Sequence, residues 1–421
     1  MYFTPKRLKL YLWALLVLEI LICLGFRSSI RSGAIDFRSY YTAGSMLRTG
    51  QARLLYDYPT EQRLQSVLVT PEPVALPFFA PPFAALPFAL LSLAPFKLAL
   101  LLFGLANLAL LALAVRIMRP HLPALIERWP LTPALLYLSF LPVGLTLVMG
   151  QLSIVLLLIC CLAFTLLESG SPLLAGLVFS FALVKFQFAL PVFLLFLLWR
   201  RWRFTLGFLL GAALLAALSA AIISPHVFPS YLHSLTQTTA LGGTTLQHAV
   251  GIVPRRMANL YGFFSLTPTD RPATVLTAAA SLLLLAWAAT RRASFPLALL
   301  VALLVSFHLY PCDLTLLLLP ISLLCNRLFA EHPTPDAAPT AAPASQPSLL
   351  SWLQNRRRAI LFCALGTFLI SPLLIELIVN DLIFLLALPI LALAFCPPDW
   401  SPIDLPHAPD TRRDAPQPTT A

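Results

Sequence analysis

The sequence predicts an all-α polytopic membrane protein with about twelve transmembrane helices. Hydrophobic residues make up 59% of its 421 residues and charged residues only 11%, whereas soluble domains carry about 25% charged residues. The mean hydropathy of +0.85 points the same way. The apolar runs are long and rich in Leu and Ala, which excludes a transmembrane β-barrel built from short alternating strands.

The charge distribution and the cysteine pattern argue against several classes of function. The net charge of +11 comes from basic residues that cluster at the ends of apolar runs, where they set membrane orientation. We therefore predict no nucleic-acid partner. The seven cysteines form no CxxC pair, and the sequence contains no HExxH, Walker A, GxGxxG or EF-hand pattern. No metal site and no cofactor are predicted.

The first predicted span covers residues 10–26 and follows Lys6, Arg7 and Lys9. No small-residue cleavage site comes after it. We expect a retained helix with its basic end in the cytoplasm.

Residues 27–95 are predicted to be extracytoplasmic. They hold many arginines, acidic residues and tyrosines, and their spacing predicts short amphipathic helices over 37–47 and 60–68. The proline-broken apolar stretch 78–93 is too short to span comfortably, which favours an interfacial or re-entrant segment.

Eleven further runs are counted as spans by their apolar length. Four basic clusters between them are predicted to be cytoplasmic, together with both termini. The predicted spans are 96–117, 131–148, 151–168, 172–185, 187–199, 204–223, 273–290, 294–310, 313–328, 359–378 and 382–396. The basic clusters are Arg116/Arg119/Arg128, Arg200/Arg201/Arg203, Arg291/Arg292 and Arg356–Arg358.

Composition divides the chain into four parts. Residues 1–328 are predicted to form one transmembrane module, and 329–358 a Pro/Ala-rich cytoplasmic linker. A transmembrane hairpin, 359–396, and a disordered tail, 397–421, complete the chain.

Polar residues that the predicted topology brings to the extracytoplasmic side are the candidates for chemistry. Asp36 lies in the first loop, Gln151 in the turn MGQ, Lys185 at the end of a short span, and His308 and Asp313 in SFHLYPCD. Ionisable residues at membrane depth are costly and therefore candidates for function. The remaining candidates are Tyr40, Tyr41, His248, Arg255 and Arg256.

Five motifs stand in order over residues 30–328. They are DFRSYYTAGSMLRTGQARLLYD, FFAPPFAALPFALLSLAP, GQLSIVLLL, LLAGLVFSFALVKFQFALPVFLLFLLWRRWR and SFHLYPCDLTLLLLPISLL. This set resembles glycosyltransferase family 87 of the GT-C superfamily. The chain departs from the family where Phe186 and Gln187 precede Pro191, and in the loop 240–260, which reads LQHAVGIVPRRMANLYG over part of its length.

The resemblance implies that residues 1–328 are the catalytic module, a GT-C-type helical bundle in the cell membrane with an extracytoplasmic active site. It also implies a polyprenyl-phosphate-linked sugar donor, usually mannose, and a lipid or glycan acceptor among the membrane lipids. An acidic residue of the first extracytoplasmic loop serves as the base in such enzymes, and Asp36 matches that position.

The chemistry suits these residues. Inverting glycosyl transfer needs one carboxylate to take the proton of the acceptor hydroxyl. The leaving lipid phosphate needs positive charge rather than a strong acid, and the candidates to supply it are Lys185, Arg255, Arg256 and His308.

Each candidate also has a structural interpretation. Asp36 suits a helix N-cap, Gln151 a tight turn, and Lys185 a side chain that reaches the interface. His308 and Asp313 suit a hydrogen bond between helix ends. Arg255 and Arg256 suit lipid headgroups, and Tyr40 and Tyr41 suit interfacial anchors.

Two other functions compete with the transferase. A lipid or glycolipid transporter or flippase also fits a bundle with polar residues at membrane depth, but transporters tend to contain internal repeats and none is found. An assembly protein without catalytic activity would leave Asp36 replaceable.

Overall fold

The computed structural model describes residues 5–69, 75–239, 253–267, 270–330, 358–359, 361, 365–366 and 373–395. Most of these residues are helical, and no strand is found among them. The α-helices are α1 (Pro5–Gly25), α2 (Arg27–Ser32), α3 (Phe37–Arg48), α4 (Tyr58–Leu68), α5 (Leu86–Leu91), α6 (Phe96–Met118), α7 (Pro123–Arg128), α8 (Thr132–Leu138), α9 (Leu141–Met149), α10 (Ser153–Glu168), α11 (Pro172–Phe179), α12 (Phe186–Leu198), α13 (Trp202–Ile222), α14 (Val227–Thr239), α15 (Leu260–Phe264), α16 (Asp270–Ala289), α17 (Phe295–Val305), α18 (Leu318–Ala330), α19 (Leu373–Val379) and α20 (Ala387–Phe395). Short 3₁₀ helices cover Ala52–Leu54, Pro82–Ala85, Arg119–His121, Ser180–Lys185, Pro254–Arg256, Pro311–Leu317 and Ile383–Leu386.

Six helical segments in the described part of the chain are long and apolar enough to cross a membrane. They are Arg7–Gly25, Phe96–His121, Pro172–Leu198, Trp202–Ile222, Pro272–Ala289 and Pro311–Ala330. A bent pair, α8 and α9, makes up to seven, with an angle of 55° between its halves. The protein is therefore a polytopic membrane protein, and the count of about twelve spans remains a prediction.

Proline and glycine mark several helix boundaries. Pro123, Pro142 and Pro172 occupy the first turns of α7, α9 and α11, where a missing N–H costs no hydrogen bond. Gly150 ends α9 in the left-handed conformation, with φ of 66°, which glycine adopts without strain.

One of the six segments, Pro172–Leu198, is long enough in total but reverses direction near its middle, so it does not cross as one straight helix. A side chain at Gly207 of α13 would meet Leu173 and Leu177, and one at Gly211 would meet Leu177 and Ser180. Helix α11 therefore runs parallel to α13.

Helix α12 runs the opposite way along α13. Phe196 packs on Phe204 with ring centroids 4.0 Å apart, and Phe193 packs on Phe208 at 4.8 Å. The reversal occurs at Lys185, whose φ of −128° and ψ of 73° are not helical. Lys185 is the tip of a helical hairpin, and its two arms correspond to the predicted segments 172–185 and 187–199.

The loops that carry three of the basic clusters gather at one end of the bundle. Lys9 lies 4.5 Å from the ring centroid of Trp129. The ring of His121 lies 3.2 Å from the hydroxyl of Thr165. At the same end, the indole N–H of Trp199 donates to the carbonyl of Ala288, which precedes Arg291 and Arg292. The fourth basic cluster lies outside the described residues, except for Arg358.

The first-loop helices cover the opposite end. The two segments predicted to form amphipathic helices, 37–47 and 60–68, are helical and correspond to α3 and α4. Phe37 of α3 is fully buried and packs on Phe88, Phe96 and Phe103, at centroid distances of 5.2 to 6.0 Å. Gly44 allows close approach, because a side chain there would collide with the backbone at Phe88. This aromatic cluster fixes the start of α3 on the bundle.

Candidate active site

Asp36 stands immediately before α3 but does not cap it. Its backbone is in the right-handed helical region and its side chain makes no capping hydrogen bond. Instead, the carboxylate accepts a hydrogen bond of 2.5 Å from the side-chain amide of Gln151. Asp57 behaves differently, because its carboxylate accepts from the N–H of Thr60 and caps α4.

Gln151 bridges two first-loop residues. Its backbone N–H donates to Thr146 after the turn at Gly150. Its side-chain amide donates to Asp36, and its side-chain carbonyl accepts from the hydroxyl of Tyr40 at 3.3 Å. The side chain therefore does more than satisfy a turn: it orients the carboxylate of Asp36.

Lys185 and Asp313 form a buried ion pair. The side chains are 11% and 3% exposed, so Lys185 does not reach the interface. Ser153 donates to the carboxylate of Asp313 at 2.8 Å and accepts from the ammonium of Lys185 at 3.2 Å. The second oxygen of Asp313 accepts from the backbone N–H of Tyr310 at 3.3 Å. One aspartate thus fixes both the hairpin tip and the start of the 3₁₀ helix Pro311–Leu317.

His308 lies in the connection between α17 and that 3₁₀ helix. Its ring packs edge-on against Tyr310, with centroids 4.4 Å apart. The predicted hydrogen bond between His308 and Asp313 is not formed, because the carboxylate of Asp313 pairs with Lys185 instead.

These residues line one cavity of about 620 Å³, a size typical of small-molecule sites. Its polar part is formed by Asp36, Ser39, Tyr40, Gln151, Lys185, His308, Tyr310 and Asp313. A second wall is the extended segment 75–80, and a third is the face of α16 that carries Thr274, Thr277 and Ser281.

Burial raises the pKa of the Asp36 carboxyl above its ordinary value. The hydrogen bond from Gln151 and the positive charge of Lys185 act in the opposite direction. A carboxylate with a raised pKa is a stronger base than one in water.

Four of the predicted residues stand elsewhere or are not described. Tyr41 does not line the cavity, and its hydroxyl donates to the carbonyl of Ala94 at 2.9 Å. Arg255 and Arg256 are exposed and lie outside the cavity lining, with Arg256 paired to Asp381 at 2.5 Å. His248 lies outside the described residues.

Several residues of the site were not among the predicted candidates. Ser153, which bonds the Lys185–Asp313 pair, stands in GQLS, and Tyr310, which lines the cavity, stands in SFHLYPCD. Thr274, Thr277 and Ser281 recur at helical spacing in an otherwise apolar span. Such a polar stripe in a transmembrane helix is a usable signal, because polar groups at membrane depth face protein or water-filled cavities.

Comparison with known protein families shows which family this chain is related to. The sequence model of glycosyltransferase family 87 matches residues 78–320, which is more than half of the chain. The matched range contains Gln151, Lys185, His308 and Asp313 and begins after Asp36. No curated protein and no solved structure matches the chain.

Proposed function

Because the chain belongs to glycosyltransferase family 87, we propose that it transfers a hexosyl group, mannose in the first instance, from a polyprenyl phosphate. The acceptor is a hydroxyl group of a membrane lipid or glycan. The observation that carries this proposal is the Asp36 carboxylate, which is free of a capping role and faces a cavity of about 620 Å³.

Asp36 is the general base of this mechanism. Its carboxylate takes the proton of the acceptor hydroxyl while that oxygen bonds to the anomeric carbon of the donor. The bond between the anomeric carbon and the phosphate oxygen breaks, and the phosphate leaves with the electron pair. Attack opposite the leaving group inverts the configuration.

Gln151 and Tyr40 position the base. Gln151 holds one carboxylate oxygen of Asp36, and the hydroxyl of Tyr40 holds Gln151. The second carboxylate oxygen is then available for the acceptor. Burial raises the pKa of the Asp36 carboxyl toward the working pH.

Lys185 is the proposed contact for the leaving phosphate. It is the one Lys or Arg among the described residues that line the cavity. Asp313 and Ser153 fix its ammonium at the hairpin tip, and a fixed cation stabilises negative charge without reorganising during the reaction. Arg255 and Arg256, the alternatives from the sequence, lie outside the lining.

The cavity is proposed to open on the extracytoplasmic side of the cell membrane, with both termini in the cytoplasm. The support is the gathering of the Lys9, Arg119 and Arg291 regions at the opposite end of the bundle. Basic residues are retained on the cytoplasmic side of membrane proteins.

A direct assay tests the function. Purified protein is incubated with polyprenyl-phosphate mannose and a membrane lipid extract, and new glycolipids are identified by mass spectrometry. A mannosylated lipid that is absent from the Asp36→Asn reaction supports the proposal. Movement of the sugar lipid across vesicles without any new glycolipid would instead favour the transporter.

A further inference from the structure

The extended segment 75–80 is tied along one edge to the first-loop helix α4. The side chain of Gln65 bonds both backbone groups of Leu76, donating to its carbonyl at 2.6 Å and accepting from its N–H at 3.0 Å. Both carboxylate oxygens of Glu61 accept from the N–H of Phe78 at 3.3 Å. The hydroxyl of Tyr56 donates to the carbonyl of Ala80 at 2.8 Å.

Alternate residues of the segment make these hydrogen bonds. In an extended chain, successive residues direct their backbone groups to opposite edges. The groups of residues 76, 78 and 80 face α4 and its flank, so those of Pro77 and Phe79 face the other edge. Pro77 and Phe79 both line the cavity.

The second edge carries backbone groups without partners. Within the described chain, the N–H and carbonyl of Phe79 and the carbonyl of Pro77 have no hydrogen bond. Pro77 is buried and Phe79 is half-buried. Buried backbone groups are normally paired, so this edge offers one donor and two acceptors to whatever fills the cavity.

The edge is also held in register with the proposed base. Phe78 is buried and packs edge-on against Tyr40, with ring centroids 6.1 Å apart. Tyr40 in turn bonds Gln151, which holds Asp36. A ligand on this edge is thus positioned by the same framework that positions the carboxylate.

We propose that the free edge at Pro77 and Phe79 binds hydroxyl groups of a sugar in the cavity. A hydroxyl both donates and accepts, so adjacent sugar hydroxyls match one N–H beside two carbonyls. This inference rests on the proposed transferase function and adds to it a recognition site made of backbone. The hydroxyls belong either to the hexose of the donor or to a sugar of the acceptor.

The substitution Phe79→Pro removes the backbone N–H and can keep an extended chain, because proline favours extended conformations at itself and at the residue before it. Phe79→Ala is the matched control, since it removes the same ring and keeps the N–H. The donor experiment compares binding of short-chain polyprenyl-phosphate mannose with binding of the same lipid phosphate without mannose. The acceptor experiment measures the apparent KM for the lipid extract.

A single lost hydrogen bond weakens binding about three- to tenfold. If the donor hexose is bound, Phe79→Pro binds the mannose lipid more weakly than Phe79→Ala by that factor, and the two variants bind the lipid phosphate without mannose equally. If the acceptor sugar is bound, the factor is found in the KM for the extract. Equal behaviour of the two variants in both experiments overturns the inference. A parent protein that binds neither lipid overturns the proposed donor itself.

Amide hydrogen exchange tests the same edge without a variant. The amides of Leu76 and Phe78 are already bonded, whereas the amide of Phe79 is not. The mannose lipid or the acceptor extract should slow exchange at Phe79, and the lipid phosphate alone should not. An exchange rate at Phe79 that neither sugar source changes would contradict the inference even if Phe79→Pro fails to fold.

Discussion

Replacing Asp36 by Asn removes the proposed base and keeps its surroundings. The Asn side chain has the same size, and its carbonyl can still accept the hydrogen bond from Gln151. The start of α3 does not depend on the carboxylate, since Asp36 makes no capping bond. We therefore expect a folded protein in which only the proton acceptor is lost.

The expected loss of rate follows from the role of a positioned base. Such a group contributes about 10²- to 10⁴-fold to the rate, which corresponds to about 2.7–5.4 kcal/mol of activation free energy.

The free energy of unfolding, in contrast to the rate, should not decrease in the Asn variant at neutral pH. Burial raises the pKa of Asp36 in the folded state, so its stabilising effect is complete below the unfolded pKa and is lost as pH rises through the folded value. At neutral and alkaline pH the Asn variant should be at least as stable as the parent.

Initial rates of mannosyl transfer between weakly acidic and alkaline pH measure the effect. The parent should lose activity as pH falls through the raised pKa of Asp36, and the residual activity of the Asn variant should lack that dependence. Asp57→Asn is the control, because Asp57 caps α4 and Asn caps equally well. An Asp36→Asn enzyme that turns over at the parental rate would refute the mechanism. An equal loss in Asp57→Asn would show that the first loop, rather than the base, had been damaged.

Three further experiments test the ion pair, the membrane orientation and the first loop. Lys185→Met leaves the buried Asp313 unpaired and should reduce the free energy of unfolding by about 3–5 kcal/mol. The double variant Lys185→Met/Asp313→Leu should recover most of that free energy. Equal denaturation midpoints for the single and double variants would contradict a buried ion pair. In a cysteine-free background, an impermeant maleimide should label Val67→Cys in intact cells and Ser169→Cys only after permeabilisation. Position 67 is 77% exposed at the end of the bundle that carries the cavity, and Ser169 is exposed at the basic end. The reverse labelling pattern would place the cavity in the cytoplasm. Burial raises the pKa of Glu61 in the folded protein, so the stability of the parent should fall as pH rises through that raised pKa. Glu61→Gln should flatten the dependence of melting temperature on pH. If melting temperature depends on pH in the same way in the parent and in Glu61→Gln, Glu61 is not a buried carboxyl.

Local patterns predicted the parts of the fold that depend on neighbouring residues. The helix expected over 37–47 is present as Phe37–Arg48, but residues 37–46 are all buried, so it lies inside the protein rather than with one polar face exposed. The cost of ionisable groups at membrane depth identified Asp36, Lys185 and Asp313, and all three line one cavity. The family model supports the resemblance drawn from the ordered motifs.

Pairings between distant segments were not predictable in the same way. The sequence places His308 near Asp313 and suggests that they bond, whereas Asp313 binds Lys185, 128 residues away. An anion buried among helices is stabilised far more by a fixed cation than by a neutral imidazole, and only the packing of the hairpin brings that cation within reach. Likewise, no local pattern reveals that Asp381 pairs with Arg256.

The short helices explain both the uncertain number of spans and the existence of the cavity. Helices α10, α12 and α17 have 16, 13 and 11 residues, or about 24, 20 and 16 Å at 1.5 Å per residue. Each is shorter than the hydrocarbon core of about 30 Å. Their ends at the cavity carry Ser153, Lys185 and Ser306, whose polar groups are bonded within the protein. Polar groups can lie at membrane depth only where protein or a water-filled recess surrounds them. Helices that end early therefore create a polar floor beneath the first loop, and this floor is where the proposed lipid-linked donor would place its sugar beside Asp36.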